Sequence, residues 1–471
     1  MRHEALLAGH SELFTQSGGN ASGEPTTQVV LLQCSAKYSL LDTKEQQVAA
    51  GDALTKLDQE NLSVLPKLAA PLSLSYRDII DASPADFALK LALSSGETLT
   101  LFSLGYKYED FVRVFSKLRN EILLKDALMN ESLRKSGVAA TLVHLDGGGK
   151  EINTDKCQLR LYDTAVVLIP EKGEFTRIPY SYVANAHAED YSLRLTAESG
   201  DQFVLSGMGK DFDSVKETLS TVMSELSLRT QVLLKELLPD ASPDVIWKAA
   251  SFMKDGRAAS RSEIESVSPE LWAGLEKRLE VVGMREEYDF LKTMSRQQKF
   301  CIGMKRGLMG DLTGDYVWFL IPIYGESPGG TGNAIAMEAS TGEGPGRATY
   351  FFKIVNRTDY RVARNIQILD ETVDALVREI DRCMLEINFR REPIYLSDTK
   401  LEEPQYVGYR FAVRKLKGLR TLRNLYVGRV MHVSPDQWKK DVMDLLSFNI
   451  SAVDENAKWL KTGPELSGEE G

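Results

Sequence analysis

The sequence is short of the residues and runs that mark the familiar catalytic and membrane classes. Its 471 residues hold four cysteines, Cys34, Cys157, Cys301 and Cys383, far apart and without a CxxC. That spacing argues against a disulfide framework and a cysteine-built zinc site, and it fits a reducing compartment. The five histidines, His3, His10, His144, His187 and His432, show no metal-ligand spacing and no i, i+4 pair. No G-x-S-x-G elbow is present. The longest apolar run, Tyr316–Tyr324, contains Pro322 and falls well short of the ~20 residues a spanning helix needs. Leu6-Leu7-Ala8 is too short for a signal-peptide core. Positive charge is in deficit: the formal net charge is −10 and the pI near 5.3, against bulk affinity for nucleic acid or an anionic membrane. These absences predict a cytoplasmic, soluble chain, non-enzymatic, with no cofactor and no metal.

What is there is a duplication. A shift of 104 positions lays Pro66–Leu124 on Pro170–Leu228 without a gap. Tyr76 falls on Tyr180, Leu89 on Leu193, Leu91 on Leu195, Gly96 on Gly200, Leu101 on Leu205 and Gly105 on Gly209. Within one copy, Leu72, Leu74 and Tyr76 alternate with serines, and Phe87, Leu89, Leu91 and Leu93 alternate again, the period of half-buried strands. Ser94-Ser95-Gly96-Glu97 is a tight-turn composition, so the two flanking runs predict a hairpin. After Gly105 the period changes. Tyr108, Phe111, Phe115, Leu118 and Ile122 make the stripe of an amphipathic helix, and Phe212, Val215, Leu219, Val222 and Leu226 repeat it.

This order of antiparallel strands closed by one C-terminal helix, with Gly105-x-x-Tyr108 and Gly209-x-x-Phe212 opening the helices, resembles the pleckstrin-homology-like (PH-like) fold, including its bacterial and GRAM-type relatives. The resemblance covers about 54–130 and 154–230. It implies an α+β chain of tandem PH-like antiparallel barrels or sandwiches, each with a closing helix. Many members of that family bind phosphoinositides through basic residues on the first two strands. Here Asp155–Arg160 offers only Lys156 and Arg160.

The length suits roughly three to four domains. The expected order is an N-terminal segment to 28, module 1 over 29–135, module 2 over 136–238, a helical spacer over 239–300, a diverged third PH-like module over 301–455, and an acidic tail. Ser242-Pro243-Asp244 and Ser268-Pro269-Glu270 carry helix-start chemistry. The spacer could suggest DNA reading, but Glu263, Glu265, Glu270, Glu276 and Glu280 oppose phosphate contact. Lys125–Lys135 is expected to prolong the first closing helix. The Gly325–Gly346 stretch lies between predicted strands, and Gly342-x-Gly344-x-Gly346 is followed by Arg347. It is therefore expected as a hairpin loop rather than a phosphate cradle.

One stretch stands apart in charge. Pro404–Val433 holds no acid and carries Arg410, Arg414, Lys415, Lys417, Arg420, Arg423 and Arg429, interleaved with Tyr406, Tyr409, Phe411 and Tyr426. It is expected to be extended, although Leu416, Leu419 and Leu422 keep helical spacing. These seven cations are the candidate anion- or partner-binding residues. The alternative is that they match this chain's own acids, such as Asp370, Glu371, Asp374 and Glu379. Three functional classes follow: a scaffold or adaptor acting by protein–protein contact, a peripheral binder of anionic lipid or nucleic-acid backbone, or an enzyme with a pocket between modules.

Overall fold

The computed structural model describes residues 30–126, 131–295, 299–307, 315–324, 332–342, 347–362 and 366–451. The N-terminal segment, the acidic tail and half of the Gly325–Gly346 stretch lie outside the described residues, and within the described half Ala334–Ser340 is strand rather than loop.

Module 1 consists of β1 (Leu32–Leu41), β2 (Gln47–Leu57), β3 (Asn61–Pro66), β4 (Leu72–Ser75), β5 (Ile79–Ala85), β6 (Ala88–Leu93), β7 (Thr98–Phe102) and α1 (Tyr108–Asp126). Module 2 repeats it as β8 (Leu133–Leu145), β9 (Glu151–Tyr162), β10 (Ala165–Pro170), β11 (Thr176–Pro179), β12 (Val183–Glu189), β13 (Ser192–Ala197), β14 (Gln202–Ser206) and α2 (Phe212–Leu237). The strand orders, β4-β3-β2-β1-β7-β6-β5 and β11-β10-β9-β8-β14-β13-β12, are the same. So is the register: Leu89 faces Leu101 in one hairpin, and Leu193 faces Leu205 in the other. Tyr76 and Tyr180 each open a 3-10 turn and are buried. Phe111, Val112 and Phe115 of α1 are fully buried against the first sheet. At about 1.5–3 kcal/mol per large apolar side chain, such a stripe is the main bond between helix and sheet.

Two local expectations change. Helix α1 is described as far as Asp126, and from Leu133, inside the stretch expected to prolong it, the chain is strand. Phe87 is not in a strand. It sits at the tip of the β5–β6 hairpin with Asp86, both at positive φ, exposed and tilted over Tyr108 at 5.5 Å. Tyr191 repeats this over Phe212 at 5.6 Å.

The rest of the chain builds one further unit. Helices α3 (Pro243–Phe252), α4 (Arg261–Glu265), α5 (Pro269–Val281) and α6 (Arg285–Lys292) lead into a six-stranded sheet. Its strands are β15 (Ala259–Ser260), β16 (Cys301–Arg306), β17 (Asp315–Ile323), β18 (Ala334–Ser340), β19 (Ala348–Lys353) and β20 (Tyr426–Met431), paired in simple sequence order. Between β19 and β20 lie α7 (Arg357–Val362), α8 (Ile366–Glu386), α9 (Glu392–Tyr395), α10 (Asp398–Leu401), α11 (Val407–Lys415) and α12 (Lys417–Leu425), and α13 (Pro435–Ser451) follows. One face packs on α3–α6, α13 and the end of α2; the other packs on α8, α9, α11 and α12. The expected third PH-like copy over 301–455 therefore meets a different strand order with helices on both faces, and the expected spacer supplies one of those layers. The basic stretch is corrected as well: Val407–Lys415 and Lys417–Leu425 are helices broken at Leu416, and the strand is confined to Tyr426–Met431.

Candidate interaction site

Among the described residues, one place carries site-like chemistry in both modules. It lies where the edge strand, β5 or β12, runs beside the closing helix. Both strands end their sheets, so each has a neighbour on one side only within its sheet.

In module 1 this groove is filled by the chain itself. Arg119 of α1, 3 % exposed, donates to the carbonyl oxygens of Ile79 (3.1 Å) and Ile80 (3.2 Å) and to Glu174 (2.9 Å). Glu174 arrives on the β10–β11 hairpin of module 2. That hairpin is held by Asn120, which donates to the Gly173 carbonyl (2.9 Å) and accepts from the Phe175 N–H (3.0 Å). Lys415, the last residue of α11, enters from the other side and donates to the Ile80 carbonyl and to Glu174. Burial opposes charge on Glu174, but Arg119 and Lys415 outweigh it and hold the carboxyl below its usual range. Burial and the nearby Arg119 push the Lys415 ammonium down. Arg119→Met, which installs the residue found at 223, is expected to lower stability by about 2 kcal/mol, because a charged donor to two carbonyls and a carboxylate is lost while Lys415 stays. Urea denaturation would measure this, and faster hydrogen exchange over 173–175 would localise it.

In module 2 the corresponding groove is open. Met223 stands in place of Arg119, Ser224 of Asn120, Ser227 of Leu123 and Ala184 of Ile80. Each exchange removes volume, charge or both. A cavity of about 650 Å³ results, walled by β12, α2 and α3 and including Trp247, which is 60 % exposed. Its charged lining residues are Lys216, Lys254 and Asp255. Asp255 is tied to Lys305 at 3.0 Å, and burial pushes its carboxyl up.

The seven cations proposed from sequence are mostly paired within the chain. Arg410 meets Glu402 (2.6 Å) and Asp78 (3.5 Å), and Arg414 meets Glu402 (3.6 Å). Lys415 plugs module 1 as described. Arg423 bonds Asp398 (2.6 Å) and the carbonyls of Pro393 (2.6 Å) and Leu396 (2.8 Å). Arg420 donates to the Arg414 carbonyl. Arg429 lies over the Tyr395 ring at 3.7 Å. Lys417 is exposed, with Glu379 the carboxylate that feels its charge. Apart from that one, the acids that receive them are not those expected on α8. The open groove itself went unnoticed, yet its signal was in the sequence, at the positions where the two copies disagree in size and charge.

The two seven-stranded sheets with closing helices are consistent with PH-like modules. No protein-family profile and no curated protein matches the chain. Among solved structures it is similar to one described as the Spt16D–Pob3N heterodimer, at 14% identity and a TM-score of 0.15, covering 36% of this chain and 85% of that one. A score that low leaves the fold to be read from the sheets alone. Among the described residues no helix is long and apolar enough to cross a membrane, and no group of three metal-ligating side chains comes together.

Proposed function

We propose that the chain is a non-enzymatic scaffold or adaptor that works by protein–protein contact through its tandem PH-like modules. The observation that supports this is the filled groove of module 1. One copy of the repeated module already grips polypeptide, through edge-strand carbonyls, Arg119 and Asn120. Surfaces of that kind bind by backbone and side-chain complementarity and need no catalytic group. Crosslinking mass spectrometry on the tagged full chain, in extracts of cells that express it, is the test. Reproducible crosslinks from a second protein to the modules are expected; their absence would end the scaffold reading.

Binding of anionic lipid or nucleic-acid backbone through 404–433 is the competing reading. It is disfavoured by the pairing of Arg410, Arg414, Lys415 and Arg423 with the chain's own acids. In flotation with vesicles containing anionic lipid, the wild-type chain and its Arg414→Glu, Lys417→Glu double variant are expected to behave alike. Flotation that is salt-sensitive and lost in the variant would revive the membrane reading.

A further inference from the structure

We infer that the open groove of module 2 binds a short segment of a partner protein in which an acidic side chain adjoins an aromatic one. The inference rests on the scaffold reading and names the chemistry of its partner. The filled copy shows what such a groove holds. At module 1 the occupant is Gly173-Glu174-Phe175 on a hairpin tip: the Gly173 carbonyl and Phe175 N–H engage Asn120, and the Glu174 carboxylate lies between two cations, Arg119 and Lys415.

The module 2 groove keeps that plan and enlarges it. Ser224 replaces Asn120 with a shorter polar group. Met223 takes the charge out of the floor, and Ser227 and Ala184 take volume out of it. Trp247 on α3 adds an aromatic wall with much of its surface exposed, a residue type enriched where binding energy concentrates. Charge completes the match. Lys216 and Lys254 make no ion pair among the described residues, while the groove's carboxylate, Asp255, is already held by Lys305. The groove thus presents two uncommitted cations and no uncommitted acid. An acidic side chain answers the lysines, and an aromatic ring fills the floor beside Trp247. A cavity of about 650 Å³ lies within the usual range for sites that enclose a few side chains.

The module-to-module comparison also supplies the control substitutions. Ala184→Ile with Ser227→Leu puts the module 1 side chains into module 2, where the fold accepts them at the equivalent positions. Lys216→Glu with Lys254→Glu reverses the charge at the groove without filling it. The probe is a phage-displayed library of random dodecapeptides selected on the immobilised full chain. Selected peptides are then synthesised with a fluorophore and titrated by anisotropy. We expect enriched peptides to pair Asp or Glu with Phe, Tyr or Trp. We expect binding to weaken by about tenfold or more in each double variant, and to be unchanged by Lys415→Met, which lies at the other groove. Thermal melting of each variant reports whether the fold is intact. No enrichment over empty beads, enrichment of peptides lacking an acid, or binding unaffected by Ala184→Ile with Ser227→Leu would each overturn the inference. A variant that melted early would pass the decision to the charge-reversed pair, which alters only side chains at the groove. Because crosslinking reads contact on any face and the titration reads this groove alone, a failure here would leave the scaffold reading standing.

Discussion

Gly303→Val is expected to abolish the native packing of the six-stranded unit, with loss of at least about 3 kcal/mol, the upper end of what overpacking a core costs. Gly303 lies on β16 with Trp318 of β17 directly opposite. A Cβ built at 303 would lie inside the van der Waals envelope of the indole, against Cε2, Cζ2 and Nε1. The ring cannot retreat. Its Nε1 donates to Asp381 at 2.8 Å, Phe389 packs at 4.5 Å, and its far edge comes close to Gly256. Asp381 in turn accepts from the Ala258 N–H at 3.0 Å, and burial pushes its carboxyl up to about 6. A displaced indole would leave that carboxylate buried with one partner fewer. Urea denaturation followed by tryptophan fluorescence measures the effect. A Gly303→Val, Trp318→Leu double variant is expected to recover part of the loss, since the two changes share one space and do not add. Wild-type stability in Gly303→Val would mean that β16 and β17 do not pair in this register.

The second large effect is expected at Glu338, a fully buried carboxylate on β18. It accepts from Arg347 (2.7 Å) and from the Thr349 hydroxyl (2.7 Å), and it faces His432 at 3.1 Å. Glu287 of α6 meets the other imidazole nitrogen at 3.1 Å and Arg347 at 3.0 Å. Trp438 stacks on the imidazole and donates to Thr349 at 3.1 Å. Glu338→Ala strips a buried carboxylate from two half-buried cations and is expected to cost about 3 kcal/mol. The cluster also sets a pH dependence. Burial by itself would lower the His432 pKa, but the hydrogen bonds and charges of Glu287 and Glu338 prevail and raise it from 6.5 to about 9. Below pH 6.5 the imidazolium is present in both folded and unfolded chains, and its stabilising contribution is complete. Between 6.5 and 9 the unfolded chain gives up the proton while the folded chain keeps it, so the contribution falls as pH rises and is gone above 9. Stability at pH 6 should exceed that at pH 9.5 by about 2–3 kcal/mol, from the linkage value of ~1.4 kcal/mol per pKa unit. His432→Gln is expected to flatten this alkaline loss. An unchanged slope would show that other groups set it.

The duplicated modules were largely legible in the sequence, because nearly every strand there, β10 excepted, has one wet face. Leu89, Leu91, Leu99 and Leu101 alternate inward on β6 and β7, and their counterparts do the same on β13 and β14. The third sheet was less so. From Val317 to Ile323 every residue of β17 is buried, as is all of β18, since helices cover both faces. Alternation then loses its meaning, and strand order cannot be read from it. The basic stretch misled in another way. Arg410 and Arg414 alternate with apolar residues as on a strand, but four positions apart they also share a helix face, and both reach Glu402. Composition shows that cations are concentrated, and only the fold shows which acids meet them. The groove of module 2 needed both copies. Met223 alone is an ordinary helix residue; set against Arg119, it marks a socket from which the plug has been removed.

Lys415 closes the groove of module 1 from 335 residues down the chain. On a ribosome adding ~5–20 residues per second, the strands and helix of module 1 can be complete roughly 15 to 60 seconds before that lysine is made. Throughout that interval Arg119 alone caps the Ile79 and Ile80 carbonyls, and the side of the groove that Lys415 will close stays open. Messages truncated ahead of residue 407 would make this state permanent, yielding N-terminal fragments with two open grooves where the finished protein has one.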